Sequence, residues 1–150
     1  MALFTSIFGK RLGLGPNNQL VSEGVDISRA AVNATISISA EGATVANQRD
    51  ITITLKDARG TAINYAENFE IVLYSSSAMT DFVATGGSTG IAAGASGKIL
   101  AIVAKKVFRA ITTTAGVCQV IYTDTGTDAG YLAVRMPNGT IVAGGVVTNA

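Results

Sequence analysis

The sequence predicts an all-β fold: an antiparallel β-sandwich, immunoglobulin-like or jelly-roll, preceded by an extended N-terminal arm. Three observations carry this. From residue 33 onward, apolar residues recur at every second position in short runs, the period of a strand with one buried face. The runs are bounded by Gly, Asn, Asp and Pro at regular spacing. No stretch after the arm has the 3.6-residue period of an amphipathic helix. The chain of 150 residues suits one domain plus an arm, divided here into residues 1–32 and 33–150.

Residues 1–32 show no strand alternation, and "GLGPNNQ" is turn chemistry around Pro16. "MALFTSIFGKRLGLG" begins like a signal peptide. Lys10 and Arg11 follow its apolar stretch instead of preceding it, and no small-residue cleavage site follows, so the segment is expected to be retained. Leu3, Phe4, Ile7 and Phe8 fall at helical spacing and suit either a short amphipathic turn or anchors on an extended arm. An arm with four large apolar residues is expected to dock on its own domain or on a neighbour.

"NATISISA" opens the domain, with Ala34, Ile36, Ile38 and Ala40 on one face and Thr35, Ser37 and Ser39 on the other. Ile51, Ile53 and Leu55 alternate with Thr52, Thr54 and Lys56 in the next strand. Asp57-Ala58-Arg59-Gly60 then has Asp first and Gly last, as a type I turn prefers. Phe69 to Tyr74 resumes as a strand of β-branched and aromatic residues. "SSAMTDFVATGGSTGIAAGASG" is expected to be a long loop, and loops of that length are usually functional or mobile. "KILAIVA" and "KKVFRAIT" form one bent strand or two, and "GVCQVIYTD" is the next. "GYLAVRM" and "TIVAGGVV" flank Pro137-Asn138-Gly139, the sharpest hairpin signal in the chain. The total is seven or eight short strands.

Composition narrows the chemistry. The chain has no histidine, so Cys-His and Ser-His pairs and imidazole metal ligands are impossible. The one cysteine, Cys118, lies in a predicted strand and reads as a small buried apolar side chain. With 11 Lys and Arg against 10 Asp and Glu, no strongly basic face for nucleic acid is expected. No run is long and apolar enough to predict a membrane-spanning helix. Few charges together with many Ala, Gly, Thr and Ser suggest a surface covered by a partner or by further copies of the chain.

Two candidate sites centre on "VIYTDTGTDAG". Asp124-Thr125-Gly126 after an apolar run resembles the active-site turn of aspartic proteases. Against it, Thr127 stands where a small residue is expected, the chain has no second triplet, and only twenty-four residues follow Gly126. Asp124 and Asp128, with Asp81 or Asp50, are also conceivable calcium ligands, but a calcium site needs six to eight oxygens. The preferred reading is a β-turn, so no catalytic residue, metal or cofactor is assigned. The charge layout is more informative. No acidic residue lies between Asp81 and Asp124, whereas Lys98, Lys105, Lys106 and Arg109 all do. They form either a basic strip for an acidic partner or a solvated face of edge strands.

"ITITLKDARGTAINYAENFEIVLYSS" resembles the opening of bacterial immunoglobulin-like repeats of adhesins. Together with "KVFRAITTTAGVCQVIYTDTGTDAGYLAVRMPNGTIVAGGVVT", the stretch 50–150 is more similar to small virion proteins of tailed bacteriophages, of the capsid decoration, cement or head-fibre kind. The resemblance implies a non-enzymatic structural protein. It would bind the major capsid protein of the same phage in many copies, as a homo-oligomer (dimer or trimer), on the outer surface of a capsid assembled in the host bacterial cytoplasm. Neither nucleic acid nor a membrane is an expected partner. Leu3, Phe4, Ile7, Phe8, Lys10 and Arg11 of the arm, with Lys98, Lys105, Lys106 and Arg109, are then the expected partner-binding residues. The alternative is a tail, fibre or adhesin-like module that binds a host receptor or glycan.

Overall fold

The structure, a computed structural model, describes residues 30–149 and, before them, the backbones of four short strands. These are β1 (Leu3–Thr5), β2 (Arg11–Leu14), β3 (Leu20–Ser22) and β4 (Val25–Asp26), paired in that order as an antiparallel meander. The sequence leads one to expect an irregular lead-in here; strands of two to four residues are too short to display a period of two.

The rest is a β-sandwich. One sheet has the order β5 (Asn33–Ile38), β6 (Gln48–Lys56), β11 (Val117–Thr123), β8 (Gly90–Ala93). The other has the order β13 (Ile141–Val147), β12 (Gly130–Arg135), β7 (Asn68–Tyr74), β10 (Val107–Ile111), β9 (Lys98–Val103). Every pairing is antiparallel, and the described residues contain no helix. In space the nine strands stand where A, B, E, D and G, F, C, C′, C″ stand in a variable-type immunoglobulin domain, not in the two four-stranded sheets of a jelly roll. The path differs: from β7, in the C position, the chain visits the D position before C″ and C′.

The core lies between the sheets. Ile51, Ile53 and Leu55 of β6 and Cys118, Val120 and Tyr122 of β11 meet Phe69, Ile71 and Leu73 of β7 and Leu132 and Val134 of β12. All are buried, as the alternation predicts for β6 and β11. Burying such a side chain contributes about 1.5–3 kcal/mol, and no disulfide assists, since Cys118 is free.

Three turns share one pattern. In Asp57–Thr61, Thr113–Val117 and Met136–Thr140 the first residue's N–H donates to the fifth residue's carbonyl, and the fourth residue, a glycine, donates to the first. Gly60, Gly116 and Gly139 take φ of 78°, 74° and 87°, which L side chains rarely adopt. Asp57 Oδ1 also accepts from the N–H groups of Arg59 and Thr61.

The expected long loop 76–97 is not structureless. Val83 and Ile91 enter the core, and β8 joins the sheet beside β11. The strand escapes sequence analysis because Gly-Ile-Ala-Ala has one strong strand former among four residues.

Candidate docking surface

The outward faces of the two sheets differ in kind. On the four-stranded sheet the cross-strand rows read Ser37, Thr52, Gln119 and Thr35, Thr54, Val117. The next row is Asp50, Ile121, Ala92, so the face is mainly polar, as expected of an antiparallel sandwich.

The five-stranded sheet is different. Phe69, Ile71 and Leu73 point into the core, so Glu70, Val72 and Tyr74 point out, and the register carries that face across all five strands. One row is Ile141, Arg135, Glu70, Arg109, Leu100; Arg109 and Arg135 lie 3.7 Å and 3.9 Å from the two Glu70 oxygens. The next is Ala143, Ala133, Val72, Val107, Val103, without a polar side chain. The third is Val146, Tyr131, Tyr74, and Phe82 bridges to Tyr74 with the two rings stacked 6.2 Å apart. Val146, Ile141 and Phe82 are exposed, as are Leu100, Ile102 and Val103 of β9. At the centre of this face Val72 and Ala133 are buried, so its exposed apolar side chains are those around them: Ile141, Val146 and Phe82 on one side and Leu100, Ile102 and Val103 on the other, the composition of an interaction surface.

The expected binding residues are only partly gathered here. Arg109 and Lys98 lie on this outward face, Lys98 opposite Ile111. Lys105 does not join them. In the β9–β10 turn at φ 62°, its Nζ donates to the carbonyls of Gly87 and Ser88 at 3.0 and 2.6 Å, so it ties two loops together. Lys106 is half-buried in the same turn. The four cations therefore do not form one strip. On the N-terminal strands, Phe4 is opposite Leu12 and Arg11 opposite Thr5, while Ile7, Phe8 and Lys10 lie outside the described residues. Sequence reasoning placed β9 as a strand and picked out Lys98 on it, but not the outward apolar side chains of β9, Val72 or Ala133. The available signal was the unbroken apolar runs "IVL", "LAV" and "ILAIV": an antiparallel strand apolar at every position has both faces covered.

Asp124 is a structural knot. It is buried, its Oδ1 accepting from Ser88 N–H at 2.8 Å and its Oδ2 from Asp128 N–H at 2.9 Å. Burial acts to raise its pKa. The N–H groups of Ser88, Gly126 and Asp128 and the Ser88 side chain outweigh it, leaving the carboxyl below its ordinary value. An ionised carboxylate held by backbone donors cannot share a proton as a protease dyad does. Asp128 Oδ2 accepts from the Thr85 hydroxyl, Asp50 from Thr44 and Asp81 from Thr80, so the four carboxylates weighed for calcium do not converge. Among the described residues no cluster of three or more possible metal ligands exists. Around the knot, Asn149 Nδ2 donates to the carbonyls of Asn47 and Asp124, and Arg49 Nε to that of Thr148. The Cys118 thiol is wholly buried, and burial pushes its pKa up to about 11.

No family model matches the chain, and neither a curated protein nor a solved structure is significantly similar to it.

Proposed function

We propose that the chain is a non-enzymatic virion protein of the capsid decoration or cement kind. It docks in many copies on the major capsid protein through the outward face of the five-stranded sheet, on the outer surface of a phage head assembled in the bacterial cytoplasm. The observation that carries a docking role is the difference between the two faces: one is mainly Ser, Thr and Gln with Val117 and Ile121 among them, and the other exposes Ile141, Val146, Phe82, Leu100 and Val103 around a charged row. The partner class comes from the resemblance of residues 50–150 to phage decoration proteins. Many weak contacts of this kind on one lattice reinforce a shell without any single tight one.

The stacked Tyr74 and Phe82, with Tyr131 beside them, favour a second reading. Aromatic faces beside Ser75, Ser76 and Ser77 suit a sugar ring, as a tail or fibre module that binds a host glycan would need. Immunogold electron microscopy of phage particles, with antibody to the recombinant chain, separates the two. Gold spread over heads is the expected result. Gold confined to tails or fibres transfers the proposal to the glycan reading, and particles without gold overturn both.

A further inference from the structure

An asparagine followed by glycine is open to a spontaneous reaction. The glycine's backbone nitrogen attacks the asparagine Cγ and closes a five-membered imide, with no side chain on the glycine to obstruct the approach. Of the chain's asparagines, Asn138 alone precedes a glycine. Asn138 and Gly139 are exposed at the tip of the turn between β12 and β13. Gly139 stands at φ 87°, and nothing lies within 4 Å of where its Cβ would be. Asn138 Oδ1 accepts from Thr140 N–H at 3.0 Å. That bond holds the carboxamide against the backbone and sets a donor on the oxygen that gains negative charge when Cγ is attacked. Gly139 N–H donates to the Met136 carbonyl at 2.9 Å, so the nucleophile is released when this one bond opens. Exposed backbone bonds of this kind open at the lowest cost in a folded chain. Other asparagines are held differently. Asn33 Oδ1 ties up the N–H of its own successor, Ala34, and Asn149 is buried with its Nδ2 on two carbonyls.

We propose that Asn138 is a site of spontaneous deamidation, so that the protein acquires a covalent change at this turn as it ages. The Gly139 amide nitrogen gives up its proton and bonds to Asn138 Cγ. The Cγ–Nδ2 bond breaks, and the leaving nitrogen takes the proton and departs as ammonia. Water then opens the imide in one of two ways. Cleavage between the nitrogen and Cγ gives aspartate in an unaltered main chain. Cleavage between the nitrogen and the Asn138 carbonyl carbon gives isoaspartate, whose main chain runs through Cβ and Cγ and is one carbon longer. Either product adds a negative charge beside the cleft lined by Arg109, Arg135, Glu70 and Pro137. Isoaspartate also lengthens a turn whose geometry fixes Arg135 opposite Ile141. This inference does not depend on what the five-stranded face binds.

Peptide mapping by mass spectrometry of the folded full chain, sampled through prolonged incubation at neutral pH, tests it. A synthetic peptide of residues 133–143 is the unfolded reference. The expected result is a gain of one mass unit at residue 138 before any other asparagine, with isoaspartate detected by an isoaspartyl methyltransferase. The folded chain is expected to convert at a rate within about tenfold of the peptide's, because the turn leaves the site open. Gly139→Ala, whose added Cβ enters open space in the fold but crowds the attacking nitrogen, is expected to slow the conversion by about tenfold or more. Asn138→Gln is expected to show no gain at that position over the same interval. A folded chain that converts more slowly than that margin overturns the proposal, since the turn would then shield Asn138. So does earlier conversion at another asparagine, and so does an undiminished rate in Gly139→Ala.

Discussion

The buried Asp124 carboxylate accepts from three backbone N–H groups, those of Ser88, Gly126 and Asp128. Asp124→Ala removes the acceptor that ties these loops together, at a cost of about 1–3 kcal/mol, readable as a lower urea midpoint. Because its folded pKa lies below the unfolded value, the unfolded chain binds the proton first as acid is added. The contribution is therefore full above the ordinary aspartate value of about 4 and is lost as pH falls through the lowered folded value. Urea midpoints measured down that range should fall more steeply for the wild type than for Asp124→Asn; equal slopes would show that the knot is not ionised. Cys118 gives a simpler expectation. With no exposure and a thiol pushed up to about 11, it should resist a disulfide reagent at neutral pH and react once per chain in denaturant. Fast reaction of the native protein would refute the burial. Asp124-Thr125-Gly126 and the basic cluster show where residue-level legibility ends. The sequence exposes the motif and the charges, but whether Asp124 faces a partner carboxylate or backbone donors, and whether Lys105 reaches solvent or the Gly87 carbonyl, depends on loops meeting in space.

At the scale of elements, the three matching turns separate backbone strain from crowding. Gly139 and Gly116 share a positive φ, but a Cβ on Gly139 meets nothing within 4 Å, whereas one on Gly116 would lie 2.8 Å from the Ile63 side chain and carbonyl. Gly139→Ala should cost about 1–2 kcal/mol from the conformation alone, and Gly116→Ala distinctly more. Equal losses on thermal unfolding would mean that the Ile63 contact yields freely. Elements were the most legible part of the sequence. Asp57-Ala58-Arg59-Gly60 and Pro137-Asn138-Gly139 announce their turns by residue type, and β6 and β11 by strict alternation. β8 was invisible because small residues satisfy its pairing without marking it, and the N-terminal strands because they are too short to have a period.

At the scale of the molecule, the two sheets divide the labour. One turns mainly Ser, Thr and Gln outward, with Val117 and Ile121 among them; the other turns Val107 and Tyr131 outward beside the buried Val72 and Ala133 and runs out into the exposed β9 edge. The sandwich was legible because periodicity reports which positions are buried. The outward apolar side chains of the five-stranded sheet were not, since periodicity reports alternation and those strands are apolar at consecutive positions. The most direct measurement is co-sedimentation of the recombinant chain with phage heads, comparing Ile141→Lys/Val146→Lys on the five-stranded sheet with Thr52→Lys on the four-stranded sheet. The account expects the first to weaken binding at least tenfold, about 1.4 kcal/mol, and the second to leave it unchanged. Binding that survives on the apolar face and fails with Thr52→Lys would contradict it.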